Sequence, residues 1–273
     1  MKIHSQKISD WRGKVLSKLS TFSLFPPKQA ICCTSIFSNW YGIAAANTWP
    51  VGNLVAYVND AIAKVNPSKV IHTFCIGQSL GSHVCGFFGK MQTHLRPKTK
   101  IHKIIALDPA GPIYEYKDHS DNLRLNKNDA AIVEVFHTNT LAMGYSDPIG
   151  DVDFYINGGR FQPGCNKASC KPWKFWNCPL YWACCHAFSQ NMYIYLNNKD
   201  GNCYANWKCR ITKGYQLGDI EDQVVSKLKS DGCTLKENER IELGILNLSA
   251  SDKIGTYWVD ADNESKTCKI LPQ

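Results

Sequence analysis

No stretch of the chain approaches the roughly 20 consecutive apolar residues that a membrane-spanning helix needs, so no segment reads as one. The opening residues, MKIHSQKISDWRGK, hold no apolar run of the kind that forms the core of a secretory leader. Internal repeats, low-complexity tracts and linkers are absent, which argues against an array or a two-domain chain and for one domain over residues 1–273. Pairs of CxxC at zinc-finger spacing are missing. Basic residues outnumber acidic ones, 31 to 23, for a formal net charge of +8, yet no Lys/Arg block forms a nucleic-acid arm. The surplus reads as solvated surface, with an anionic lipid interface as the second reading. No nucleic-acid partner is expected.

Cysteine, by contrast, is abundant. Thirteen occur in 273 residues, and nine of them fall from Cys165 onward. Without zinc-ligand spacing, that density points to disulfides and an oxidising compartment. Cys75 and Cys85 lie in apolar runs and are expected to be buried free thiols. The sequons at Asn247 and Asn263 also fit a secreted protein. A secreted chain without a leader is the one conflict here, and a truncated N-terminus is the expected resolution.

Periodicity supplies the elements. Trp11, Val15, Leu16 and Leu19 recur at helical spacing, and AICCTSIF after Pro26-Pro27 reads as a buried strand. Over residues 51–65, Val51, Leu54, Val55, Val58, Ile62 and Val65 form the expected buried stripe of a second helix. VIHTFCIG is the next strand, followed by a helix rich in small residues from Leu80 to about Gly89. KIIALDPAGP and AAIVEVFHTN add two more strands. Alternating strands and helices predict an α/β fold, a mainly parallel central sheet with helices on both faces. Beyond residue 200, IELGILNLSA and KIGTYWVDA read as short strands of an antiparallel edge.

Chemistry concentrates at Gly77-Gln78-Ser79-Leu80-Gly81, a G-x-S-x-G pentapeptide between an apolar strand and a helix. A serine on so sharp a strand-to-helix turn projects its hydroxyl above the sheet, and flanking glycines permit close packing. The helix N-terminus favours developing negative charge, and the amide of Leu80 is a candidate oxyanion donor. Serine needs a base, and the base needs an acidic orienter, in the chain order Ser, Asp or Glu, His. Asp108 ends the strand IIALD, where Pro109 stops it. Of the later histidines, His137 sits in a strand and reads as structural. His186 follows a cysteine cluster that can fix its position and is the candidate base.

Several segments together resemble the pancreatic-type lipases, a family that includes triacylglycerol lipases and phospholipases A1. They are NWYGIAAANTWPVG, IGQSLGSHVCG, LDPAGP, LRLNKNDAAIVEVFHT, DFYINGGRFQPGC and the Cys-x-His at 184–186, in that order. The resemblance implies an α/β-hydrolase fold with a strand–nucleophile elbow–helix unit, and a Ser79–Asp108–His186 triad that cleaves lipid esters through an acyl-enzyme. It departs at Gln78, where the family usually has histidine, a position discounted here as non-catalytic. It departs again near the start, where Ile3-His4-Ser5-Gln6 stands in for the turn that supplies the second oxyanion amide, with Gln6 as the candidate donor. Losing one such donor costs about 2.7–4 kcal/mol of transition-state stabilisation. The strands before that turn are expected to be missing.

The same resemblance implies that Cys165 and Cys184 close a lid carrying Trp173, Phe175 and Trp176, with Cys170 and Cys178 as a further candidate bridge. Aromatic side chains flanked by lysines suit a lipid interface. Asp121, Arg124, Asn126 and Asp129 fall where some of these lipases hold a structural calcium, although Asn126 replaces a carboxylate. No cofactor is otherwise required. The expected partner is a lipid ester at a membrane or droplet surface, with no colipase, since the C-terminal β-sandwich that binds it is not expected, and a monomer in solution. The alternative is a weak or inactive lipid-binding protein on the same scaffold.

Overall fold

The computed structural model describes residues 41–66, 73–116, 120–140, 142–162, 164–165, 178–196, 207–208, 243 and 254–259, all within the unit Ser35–Gln273. Gln6, the 11–20 helix, AICCTSIF, Trp173, Phe175, Trp176, Cys170 and IELGILNLSA apart from Leu243 lie outside the described residues.

Helices α1 (Tyr41–Ala46) and α2 (Thr48–Val65) precede strand β1 (Phe74–Ser79), which runs directly into α3 (Leu80–Leu95). Strands β2 (Lys103–Pro109), β3 (Ile132–His137) and β4 (Val152–Ile156) follow, then α4 (Cys178–Leu196), β5 (Trp207–Lys208) and β6 (Gly255–Val259). Among the described residues these form one sheet in the order β1-β2-β3-β4-β6-β5. Its first five strands are parallel, and β5 alone runs antiparallel, along β6.

Strands β2, β3 and β4 are buried along their whole length, as parallel strands covered on both faces must be. On one face Ile104, Ala106, Val133 and Val135 pack with Cys85 and Phe88 of α3. On the other, Ile105, Leu107, Phe136, Phe154 and Tyr257 pack with Phe188 and Met192 of α4. Alternation along each strand sends neighbouring residues to opposite layers. The predicted parallel sheet with helices on both faces is the one observed.

Three expectations are corrected. The 51–65 stripe is not the buried face of α2, whose buried residues are Thr48, Gly52, Ala56, Asn59 and Ala63, while Leu54, Val58 and Val65 are exposed. Close packing on α3 is the reason: a Cβ at Gly52 would fall 2.6 Å from Phe87 Cβ and 2.7 Å from the Val84 carbonyl oxygen. Only small side chains fit that seam, so hydrophobic periodicity marks the wrong face. Asn59 joins it by donating to Gln92 Oε1 at 2.8 Å.

KIGTYWVDA is only in part the antiparallel edge expected: it pairs antiparallel with β5, the edge strand, but on its other side it continues the parallel sheet. Its core is β6, paired in parallel with β4 and lying between β4 and β5. Because α4 intervenes between β4 and β6, the chain returns in the same direction. Finally, α3 runs past Gly89 to Leu95. Gly89 lies inside the helix because the Asp129 carbonyl oxygen occupies the space a Cβ would take, 1.9 Å away.

Candidate active site

The turn between β1 and α3 places Ser79 at φ 57° and ψ −124°, backbone that L-residues seldom adopt. Gly77 makes it possible. A Cβ there would meet the Gly81 carbonyl oxygen at 2.2 Å and the Ser82 amide nitrogen at 2.6 Å. Ser82 Oγ also donates to the Gly77 carbonyl at 2.9 Å, locking strand to helix. Gly81 differs, since no described atom lies within 4 Å of its added Cβ. Among the described residues, only the first glycine of the motif is required by packing.

Cys75 and Cys85 are bridged, with Cα atoms 5.7 Å apart, and the expectation of buried free thiols is wrong. Cys75 shares with Gly77 the face of β1 that packs on α3, and Cys85 is buried on α3 itself. The bridge therefore closes a covalent ring around Ser79.

Asp108 occupies the matching position on the next strand. The β1–β2 register runs Gln78 against Leu107 and then Ser79 against Pro109, a shift that bulges Asp108 out of the ladder. Asp108 has φ 46° and is fully buried. Its Oδ1 accepts from the amides of Thr138 at 2.7 Å and Asn139 at 3.0 Å. Its Oδ2 lies 2.5 Å from His186 Nδ1. Two amides and an imidazole thus fix the carboxylate as acceptor and hold the ring in one orientation.

His186 is buried on α4, and Nε2 has no hydrogen-bond partner among the described residues, the Ser79 hydroxyl included. Its backbone carbonyl accepts from Ser189 Oγ at 3.0 Å and from Gln78 Nε2 at 3.4 Å, so the residue beside Ser79 touches the residue bearing the imidazole. The Cys165–Cys184 disulfide anchors α4 two residues away. Cys185 is unbridged and buried, and burial pushes its thiol upward in pKa.

Two other described histidines, His137 and His83, are committed elsewhere. His137 is fully buried, with Nδ1 2.9 Å from the Tyr145 carbonyl and Nε2 2.8 Å from Asp153 Oδ1, the structural role read from its strand. His83 was not singled out by sequence. It accepts at Nδ1 from the Leu125 amide (3.2 Å), so Nε2 carries the proton and donates to the Ala110 carbonyl (2.9 Å). Burial pushes its pKa down to about 3. His83 ties the helix behind Ser79 to the residues just beyond Asp108.

The family model for Lipase matches residues 28–228. The chain belongs to the Lipase family. Similar proteins include Lipase member H-A of Xenopus laevis, 32% identical over 183 residues, which are 67% of this chain and 36% of that protein. Lipase member H of Oryctolagus cuniculus is 39% identical over 53% of this chain and 29% of its own length. Hepatic triacylglycerol lipase of the same species is 39% identical over 48% of this chain and 26% of its own. The chain spans about a third of the length of these relatives. Its sheet, with helices on both faces and a sharp strand–serine–helix turn, is the α/β-hydrolase fold of the Lipase family.

Within this Lipase-family chain the candidate calcium loop does not fit a divalent cation. Lys90 Nζ reaches both carboxylate oxygens of Asp129, at 2.7 and 2.6 Å, and the Arg124 carbonyl at 2.7 Å. Asp121 Oδ1 is bound by Arg124 Nη2 at 2.6 Å, and Asn126 Oδ1 accepts from the Asn128 amide at 2.8 Å. Both oxygens of Asp129, Oδ1 of Asp121 and Oδ1 of Asn126 already answer protein donors, and an ammonium stands against Asp129. No cluster of three or more His, Cys, Asp or Glu suited to a metal forms among the described residues.

Proposed function

We propose that this protein hydrolyses carboxylic esters of lipids, with Ser79 as nucleophile, His186 as general base and Asp108 as the orienting carboxylate. One observation carries the reading. His186 Nδ1 sits 2.5 Å from Asp108 Oδ2, which leaves the buried Nε2 unpartnered on a helix that touches the nucleophile turn through Gln78.

Ser79 Oγ attacks the ester carbonyl as its proton passes to His186 Nε2. Asp108 keeps Nδ1 protonated and stabilises the imidazolium. The oxyanion falls to the Leu80 amide at the start of α3. His186 then protonates the departing alcohol, and water activated by the same ring releases the fatty acid from the acyl-enzyme. Substrate meets the site at a membrane or droplet surface. The disulfides support a secreted enzyme. Neither a metal, a colipase nor a nucleic acid has a part in this scheme, and the monomer is the working unit.

The unbonded pair of Ser79 and His186 supports a second reading, a lipid-binding protein that keeps the scaffold without turnover. Hydrolysis of p-nitrophenyl butyrate and of a phosphatidylcholine emulsion separates the two. Turnover by the native protein that Ser79→Ala abolishes supports the enzyme. Equal rates for both proteins refute it.

A further inference from the structure

We infer that Gln78 is a positioning residue for the general base, holding the His186 turn of α4 in register with the nucleophile. This rests on the triad reading above and adds a role for the one pentapeptide residue that the chemistry leaves unassigned.

Alternation along β1 sends Cys75 and Gly77 toward α3 and Gln78 toward the opposite layer, where its register partner Leu107 packs with Phe188 and Met192 of α4. A polar side chain pointed into an apolar layer is costly unless both ends of its amide are satisfied. Both are. Nε2 donates to the His186 carbonyl at 3.4 Å, and Oε1 accepts from Gln190 Nε2. His186 and Gln190 are four residues apart, one above the other on a helix, so a single amide spans one turn of α4. Ser189 Oγ reaches the same carbonyl at 3.0 Å.

The base is thereby held at two points, its ring by Asp108 and its main chain by Gln78. The second hold has a particular merit: Gln78 precedes Ser79 directly, so it references the imidazole to the nucleophile rather than to a distant element. Misplacement by about 1 Å is enough to cost a hundredfold in rate, and among the described residues both hydrogen bonds between α4 and the nucleophile turn run through Gln78. The surrounding contacts persist without the amide, so the loss should be partial.

Measure kcat and KM on p-nitrophenyl butyrate for the native protein, Gln78→Leu, Gln190→Ala, the double variant and Ser79→Ala, with circular dichroism confirming the fold of each. Gln78→Leu should lower kcat about tenfold with KM within about twofold, since substrate contacts are untouched. Gln190→Ala should lower it in part, and the double variant should be no slower than Gln78→Leu alone, because both act through one contact. Native kcat in Gln78→Leu, a loss confined to KM, or multiplying effects in the double variant would overturn the inference. Where Gln78→Leu does not fold, Gln190→Ala decides: kcat lowered at constant KM supports it, and native kcat rejects it. Full activity in Ser79→Ala would instead strike down the triad reading beneath it.

Discussion

Gly144 lies against the carboxylate of Asp108, so close that a Cβ at residue 144 would fall 2.5 Å from Oδ1 and 2.8 Å from Cγ. The contact belongs to a turn folded over that carboxylate, in which the Gly144 amide donates to the Asn139 carbonyl at 2.8 Å and the Asn139 amide to Asp108 itself. Absence of a side chain, rather than unusual backbone, is what the position requires. In Gly144→Ala either the Asp108 carboxylate or the turn over it must shift, which disturbs the Asp108–His186 contact. We expect kcat to fall about a hundredfold with KM little changed. Steady-state kinetics on a soluble ester checks this, and native kcat would show that the cradle tolerates the methyl.

The Cys75–Cys85 bridge closes a loop ten residues long around Ser79. Chain-entropy arguments give such a loop about 3 kcal/mol of stability. Urea unfolding of the Cys75→Ala/Cys85→Ala variant, compared with the native protein without reductant, should show a loss of that order. An unchanged midpoint would mean that the bridge adds nothing to the elbow.

Lys90 stands where a bound cation would otherwise neutralise Asp129. Chelator or added calcium should therefore leave both melting temperature and activity unchanged. Lys90→Met should cost about 2–3 kcal/mol, somewhat less than a fully buried pair because the ammonium is partly wet. Replacing both partners, in Lys90→Met/Asp129→Leu, should recover part of the loss. A chelator-dependent melting temperature in the native protein would contradict this assignment.

Stability should fall on acidification, and His83 is the reason. Burial holds its folded pKa near 3 while the unfolded chain takes up a proton near the ordinary histidine value of 6.5. The contribution of neutral His83 is thus complete above about pH 6.5 and declines toward pH 3, at up to about 1.4 kcal/mol per pH unit. Asp129 acts in the opposite sense. Burial raises its pKa to about 6, against the pull of Lys90, so stability tied to its protonated form is lost as pH rises from about 4 to 6. Between pH 4 and 6 the two slopes partly cancel. Urea midpoints against pH for the native protein and His83→Gln should diverge, the variant losing the acid-side slope. Parallel curves would assign that slope elsewhere.

The parts of the site that depend on local chemistry were legible in the residues. Gly77 must be glycine for the turn to close, and Pro109 ends the strand that delivers Asp108. Chain order then left few histidines, and His186 is the one that meets Asp108. Contacts made across the fold were not legible. Cys75 and Cys85 look like buried thiols because apolar surroundings suit either state; only a strand facing its own helix across the elbow brings them together. The seam of α2 is built from Gly52, Ala56 and Ala63 because α3 comes so close, a tertiary demand that overrides hydrophobic periodicity. Gln78 looked dispensable for the same reason, since its partners lie more than a hundred residues away on α4. Strand β4 escaped notice because five buried residues between turns carry no alternating signal.

The central claim is that the imidazole at 186, oriented by Asp108, activates the Ser79 hydroxyl. Treating the protein with a fluorophosphonate and mapping the adduct by peptide mass spectrometry tests it most directly. The account predicts one adduct, on Ser79, whose rate of formation falls by about four orders of magnitude in Asp108→Asn and at least as far in His186→Ala. No adduct on Ser79, or one that forms equally fast in the folded His186→Ala variant, would contradict it.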